Sequence, residues 1–150
     1  MITQNQIRNF LSLKTLAIIG VSRSGKKFGN AVFKELLKRN YNAYPVHPEM
    51  NTLENHSCYN DLKSLPSAPD GLIITTNKDK TFGIVKEAHD AGIKNIWIQQ
   101  MSDSKEALDY CKANGINVIY KQCLLMYLEP VEGFHAFHRF LKKIFGGLPK

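Results

Sequence analysis

Short apolar runs alternate with amphipathic stretches along most of this chain, and each pair reads as a strand followed by a helix. Leu16-Ala17-Ile18-Ile19 is apolar without interruption, the pattern of a strand buried on both faces. Beyond a turn, Ala31, Val32, Leu36 and Leu37 share one helical face while Lys34, Glu35, Lys38 and Arg39 take the other, which predicts a helix ending near Asn40. Ala43 to Val46 reads as a second strand stopped by Pro48, and Leu72-Ile73-Ile74 as a third, with a short helical stretch around Leu62 to Leu65 between them. Ile84, Val85 and Ala88 carry a helix that stops at Gly92, before Ile96-Trp97-Ile98 makes a fourth strand. Asp103 to Glu106 resembles a capping box, opening a helix through Leu108 and Cys111 that closes at Gly115, and Val118-Ile119-Tyr120 completes a fifth strand.

Strands and helices alternating at this spacing require right-handed crossovers. The expected architecture is therefore α/β: a single doubly wound domain of the Rossmann type, with a five-stranded parallel sheet and helices on both faces. The 150 residues suit one domain, with a core at 15–126. Two extensions are expected. Thr3 and Gln6 form a capping box for a leading helix within 3–13 that uses Ile7, Phe10 and Leu11, and Phe134, Phe137, Phe140, Leu141, Ile144 and Phe145 form an apolar stripe for a tail helix within 133–145. That stripe packs on the domain or, as an alternative, forms a homodimer interface; Arg139, Lys142 and Lys143 beside it make membrane-surface attachment a third option.

Charge adds a preference for anions: 20 Lys and Arg against 13 Asp and Glu give a formal net charge of +7. The basic residues are spread from Arg8 to Lys150 without an aromatic RNA-binding signature, so nucleic acid is not the favoured partner. Three cysteines without CxxC spacing argue against disulfides and a zinc knuckle. The polar, periodic opening MITQNQIRNFLSLK and the lack of a long apolar run predict a cytoplasmic protein that neither is secreted nor enters a membrane.

The loop after the first strand, Gly20 to Gly29, stands where doubly wound folds hold their ligands. Backbone N–H groups and the start of the following helix supply anion-binding donors, and Arg23, Lys26 and Lys27 add positive charge. Gly20 to Lys27 nearly spells a Walker A loop, but Lys27 replaces the Mg²⁺-binding hydroxyl and the third strand ends in threonines where a Walker B aspartate is expected. A dinucleotide fingerprint would need glycine where Ser22 stands and an acidic residue where the second strand offers His47. Without a carboxylate for a free ribose 2′-hydroxyl, the residues favour a ribose carrying an additional phosphate, as in coenzyme A or NADP.

Five segments in order, AIIGVSRSGKKFGNAVFKELL, YNAYPVHP, SCYNDLKSLPSAPDGLIITT, EAHDAGIKNIWIQQ and the cysteine of QCLLM, resemble the small coenzyme A-binding domain family, relatives of the nucleotide-binding part of the succinyl-CoA synthetase α subunit. The resemblance covers Thr15 to Met126 and implies a Rossmann-type fold that binds coenzyme A or an acyl-CoA. It implies that the turn of Gly20, Ser22 and Gly29 holds the pyrophosphate with Lys27 nearby, that Tyr44, Pro45, Val46, His47 and Pro48 lie near the adenosine, that Thr75 and Thr76 line the mouth, and that Gln99 and Gln100 follow the fourth strand; Val21, Arg23 and Lys26 are further cofactor-binding candidates in the same turn. His47 stands where members usually carry asparagine, and Met101 where glycine is common.

Little else in the chain suggests chemistry. Cys123 follows the fifth strand at the same edge and is the one candidate nucleophile, for an acyl-CoA-handling enzyme or an NADP-dependent oxidoreductase, although no activating base accompanies it. Cys111 reads as core. His56 with Cys58, and His135 with His138, offer two metal ligands each where a structural zinc needs four, so no metal is expected. With no second domain to hold a reacting substrate, a non-catalytic binding or regulatory module is favoured over an enzyme.

Overall fold

The structure, a computed structural model, describes residues 1–129 and Pro149. In chain order the elements are α1 (Gln4–Leu11), β1 (Thr15–Ile19), α2 (Phe28–Lys38), β2 (Asn42–Val46), β3 (Thr52–Leu53), β4 (His56–Ser57), β5 (Gly71–Ile74), α3 (Lys78–Asp90), β6 (Asn95–Gln99), α4 (Lys105–Ala113) and β7 (Asn117–Gln122), followed by a 3₁₀ turn over Leu124–Met126. The main sheet has the order β2-β1-β5-β6-β7, and every neighbouring pair in it is parallel. Consecutive connections leave β1 in opposite directions, so the crevice of this doubly wound sheet opens between the carboxyl ends of β1 and β5.

Successive strand residues point to opposite faces, and the two halves of the core follow that period of two. Leu16, Ile18, Ile73, Trp97 and Ile119 face α1 and α2 with Phe10, Val32, Phe33 and Leu36. Ala17, Leu72, Ile74, Ile96 and Ile98 face α3 and α4 with Val85, Ala88, Ala107 and Cys111. The uninterrupted apolar strands are thus explained by two covered faces. Trp97 is fully buried, edge-on to Phe10 at 5.5 Å, and its indole N–H donates to the Gln122 carbonyl at 3.2 Å.

The leading helix and its capping box are as expected: Gln6 N–H donates to Thr3 Oγ1 and Thr3 N–H to Gln6 Oε1. Three local expectations are corrected. Residues 62–65 form turns and not a helix, because the Asp61 carboxylate accepts from both the N–H and the hydroxyl of Ser64 and closes the chain on itself. The cap of α4 is Ser104, whose hydroxyl accepts from Ala107 N–H; Asp103 lies one residue outside. The β3–β4 hairpin was not foreseen; two-residue strands carry too little pattern to register, and the turn uses Glu54 and Asn55 at φ +50 and +62. The tail helix expected at 133–145, with its homodimer option and His135 and His138, lies outside the described residues. Among the described residues, no helix is long and apolar enough to cross a membrane, and no group of three potential metal ligands is present.

Burial pushes the Cys111 thiol up to about 11. The native protein is therefore expected to leave Cys111 unmodified by iodoacetamide at pH 8.5, with labelling only after denaturation, as read by peptide mass spectrometry. The folded state holds this proton more tightly than the unfolded chain, so the thiol's stabilising contribution is complete below its ordinary value of 9.0 and is lost as the pH rises through about 11.

Candidate functional site

The crevice is built around three residues in backbone contact. Gly20, immediately after β1, adopts φ +120, and a Cβ there would stand 2.0 Å from Thr75 Oγ1 and 2.9 Å from the Thr75 carbonyl carbon. Gly29, in the first turn of α2, would place a Cβ 2.4 Å from the Gly20 carbonyl oxygen. Thr75 completes the contact: its N–H and its hydroxyl both donate to the Ile19 carbonyl, at 2.9 and 3.1 Å. Glycine is required at 20 and 29 so that the loop, the helix start and the end of β5 can close onto one another.

Asn30 holds the loop above this base. It is 1% exposed, accepts from the Ser22 N–H at 2.9 Å and the Ser22 hydroxyl at 3.1 Å, and donates to the Ser22 carbonyl at 2.9 Å. Gly25 N–H donates to that same carbonyl, while Ser24 Oγ accepts from Lys26 N–H and pairs with Ser22 Oγ. These bonds tie the loop to itself and to α2. At the helix end Lys27 caps α2 without a side-chain hydrogen bond, and the N–H groups of Phe28 and Gly29 have no partner among the described residues. Lys26 and Lys27 are exposed beside them and form no ion pair among the described residues. A helix N-terminus with open donors and two adjacent cations is suited to an anion.

The loop after β2 is tied to this first loop. The Arg23 guanidinium donates to the Glu49 carbonyl at 3.0 Å, His47 N–H donates to Tyr59 O at 2.8 Å, and His47 Nδ1 accepts from Glu49 N–H at 3.1 Å. Asn60 Nδ2 donates to the carbonyls of His47, Pro48 and Met50, each at 3.2 Å. Beneath it Cys58 is buried, which raises its thiol pKa and keeps it protonated. On the other side of the crevice, Thr76 Oγ1 is buried and has no hydrogen-bond partner. A buried hydroxyl left unpaired is costly, and a bound polar group would relieve it.

Most of the residues expected from the sequence do lie along this edge, but not all through their side chains. Val21 and Val46 are 3% and 4% exposed, with side chains in the core, so only their backbone is available. Gln99 stands at the end of β6 with most of its side chain buried, and its Oε1 accepts the Leu124 N–H at 3.1 Å. Cys123 is 4% exposed, its thiol withheld from solvent. Asn30 and Asn60 were missed. Asn30 carried a signal, since it shares the apolar face of α2 with Phe33 and Leu37 and a polar residue there needs a buried partner. Asn60 carried none, because its three acceptors are carbonyls of a loop.

Residues 14–129 match the family described as the CoA binding domain. The chain belongs to the CoA-binding domain family. The α subunit of an ADP-forming acetate–CoA ligase from Pyrococcus furiosus is 25% identical to this CoA-binding domain over an alignment of 126 positions that covers 77% of the chain and 28% of that subunit. The domain spans less than a third of each of the acetate–CoA ligases that it matches. Two solved structures are nearer its own size. A hypothetical protein from Pyrococcus horikoshii superposes with a TM-score of 0.79 at 25% identity, covering 88% of this chain and 94% of that one. A conserved hypothetical protein from Pyrococcus furiosus does so with a TM-score of 0.70 at 27% identity, covering 74% and 96%. The doubly wound α/β fold and the kinship to the CoA-binding part of these ligases are thus established, while the NADP alternative gains no support from these relatives.

Proposed function

We propose that this domain binds coenzyme A, free or as a thioester, and acts as a binding or regulatory module without carrying out a reaction itself. The observation that carries the reading is the set of open donors at the switch point: the N–H groups of Phe28 and Gly29, with Thr76 Oγ1 across the crevice. The pyrophosphate would take the helix end beside Lys26 and Lys27. The adenosine would lie toward His47 and Pro48. The donor set therefore fits an anionic, phosphorylated nucleotide. The absence of a catalytic role is supported by the burial of Cys123, and cytoplasmic residence by the domain's kinship to ligase subunits.

Thermal unfolding tests the reading. Coenzyme A at a hundredfold excess over its dissociation constant stabilises by about 2.7 kcal/mol, which for a chain of this size raises the melting temperature by roughly 5–10 °C. Dephospho-coenzyme A is expected to give a smaller shift, because it lacks the 3′-phosphate that distinguishes this ligand. No shift with either compound overturns the proposal.

A further inference from the structure

The loops at the carboxyl edge follow the order of the strands. Those after β2, β1, β5, β6 and β7 form a row running from His47 through Gly20–Lys27, Thr75–Asn77 and Gln100–Ser104 to Cys123. A ligand with its phosphates over the β1 loop and its nucleoside toward His47 sends its other end across β5 to β6. That is two strand spacings, about 10 Å. The extended pantetheine arm of coenzyme A is longer than this, so the thiol or its acyl group arrives at the loop after β6.

At that point the chain adopts a costly conformation. Met101 has φ +71, in the left-handed region, where a residue other than glycine loses about 1–2 kcal/mol. Its side chain is 87% exposed, so no core packing offsets the strain. The surrounding bonds hold it there: Ser102 N–H donates to the Gln99 carbonyl at 2.9 Å, the Ser102 carbonyl accepts from Thr81 Oγ1 at 2.5 Å, and Gln100 N–H donates to the Gln122 carbonyl at 3.2 Å. Among the described residues the exposed large apolar side chains are Met1, Phe28 and Met101, and the last two both lie on this edge. Beside the Met101 loop, a cleft of about 540 Å³ opens between the starts of α3 and α4, with Phe82, Asp103 and Ser104 in its lining. Strain kept at an exposed apolar residue on a ligand-binding edge indicates a contact made to the ligand.

We infer that Met101 is a specificity-determining contact for the acyl group of a coenzyme A thioester, so that the domain takes aliphatic acyl-CoA in preference to free coenzyme A. The inference rests on the coenzyme A reading above. Methionine suits the task, since its unbranched, polarizable side chain can lie along alkyl chains of different length. Each methylene that it covers strengthens binding by up to about fourfold.

Isothermal titration of the whole chain with coenzyme A, acetyl-CoA and butyryl-CoA tests this, beside the variants Met101→Gly and Met101→Leu. The wild type is expected to bind butyryl-CoA at least threefold more tightly than coenzyme A, with acetyl-CoA between them. In Met101→Gly that ratio falls to about one, and Met101→Leu restores most of it. Glycine suits φ +71, so Met101→Gly melts no lower than the wild type and misfolding does not confuse the readout. Equal affinities of the wild type for coenzyme A and butyryl-CoA overturn the inference and leave the coenzyme A reading standing. Loss of affinity for both ligands in Met101→Gly with the ratio retained also overturns it, since Met101 would then shape the loop alone. If the wild type binds none of the three, the coenzyme A reading fails first and takes the inference with it.

Discussion

Gly20→Ala is expected to be among the most damaging single substitutions available in this domain. The new methyl group would meet Thr75 Oγ1 at 2.0 Å and the Thr75 carbonyl carbon at 2.9 Å, and the backbone stands at φ +120. The hydroxyl cannot rotate away without breaking its bond to the Ile19 carbonyl. The carbonyl carbon belongs to the chain following β5 and cannot yield without displacing that loop. Backbone strain of about 1–3 kcal/mol and overpacking of about 1–3 kcal/mol act together, for a combined loss of about 2–6 kcal/mol. In a chain of this length that lowers the melting temperature by roughly 4–24 °C. Urea unfolding measures the loss directly. Thr75→Ser in the Gly20→Ala background is not expected to rescue it, since the backbone contact and the dihedral strain both remain. A loss below about 1 kcal/mol would mean that the loop relaxes freely and that the close approach is not required.

Asn30 is the second position with a large expected effect. Asn30→Ala strips partners from the N–H of Ser22 and weakens satisfaction of its carbonyl, which keeps only the longer bond from Gly25 at 3.2 Å. Each buried group left unpaired costs about 1–3 kcal/mol, so about 2–4 kcal/mol is expected in all, together with at least a tenfold loss of coenzyme A affinity as the loop amides lose their orientation. Asn30→Asp separates charge from shape. It retains the acceptor for Ser22 N–H but turns a second oxygen toward the Ser22 carbonyl, and it brings a negative charge to the loop proposed to hold phosphates. It is expected to weaken coenzyme A binding more than Asn30→Ala does. Ser22→Ala serves as the control, because it removes only the hydroxyl bonds and should cost under about 1.5 kcal/mol. Equal coenzyme A affinities in wild type and Asn30→Asp would show that the phosphates lie elsewhere.

The strands were legible residue by residue because burial on both faces leaves a local mark. Leu16 to Ile19, Leu72 to Ile74 and Ile96 to Ile98 have no polar side to show, and each is covered above and below. The glycine turn was legible for a related reason, since a loop between a buried strand and an amphipathic helix has one place to go in a doubly wound sheet. The region between β2 and β5 was read less well. The Asp61–Ser64 turn and the β3–β4 hairpin are held by bonds between two residues and by two-residue pairings, which leave no periodicity. The Gln99 Oε1 bond left no local mark, because strand alternation assigns a face but not a partner, and that partner, Leu124 N–H, lies 25 residues on.

The sequence by itself determined the class of the sheet, the place of the glycine loop after its first strand and the kinship to CoA-binding domains. These follow from composition, spacing and side-chain chemistry, which act over a few residues. The tertiary structure alone decided which polar groups near the crevice are already engaged and which are open. The side-chain amides of Asn30 and Asn60, the Arg23 guanidinium and Gln99 Oε1 are bonded to backbone groups of other segments, whereas the N–H groups of Phe28 and Gly29 and the buried Thr76 hydroxyl have no partner among the described residues. Hydrogen bonding is short-ranged and directional, so its partners are set only when the fold brings distant residues within about 3 Å.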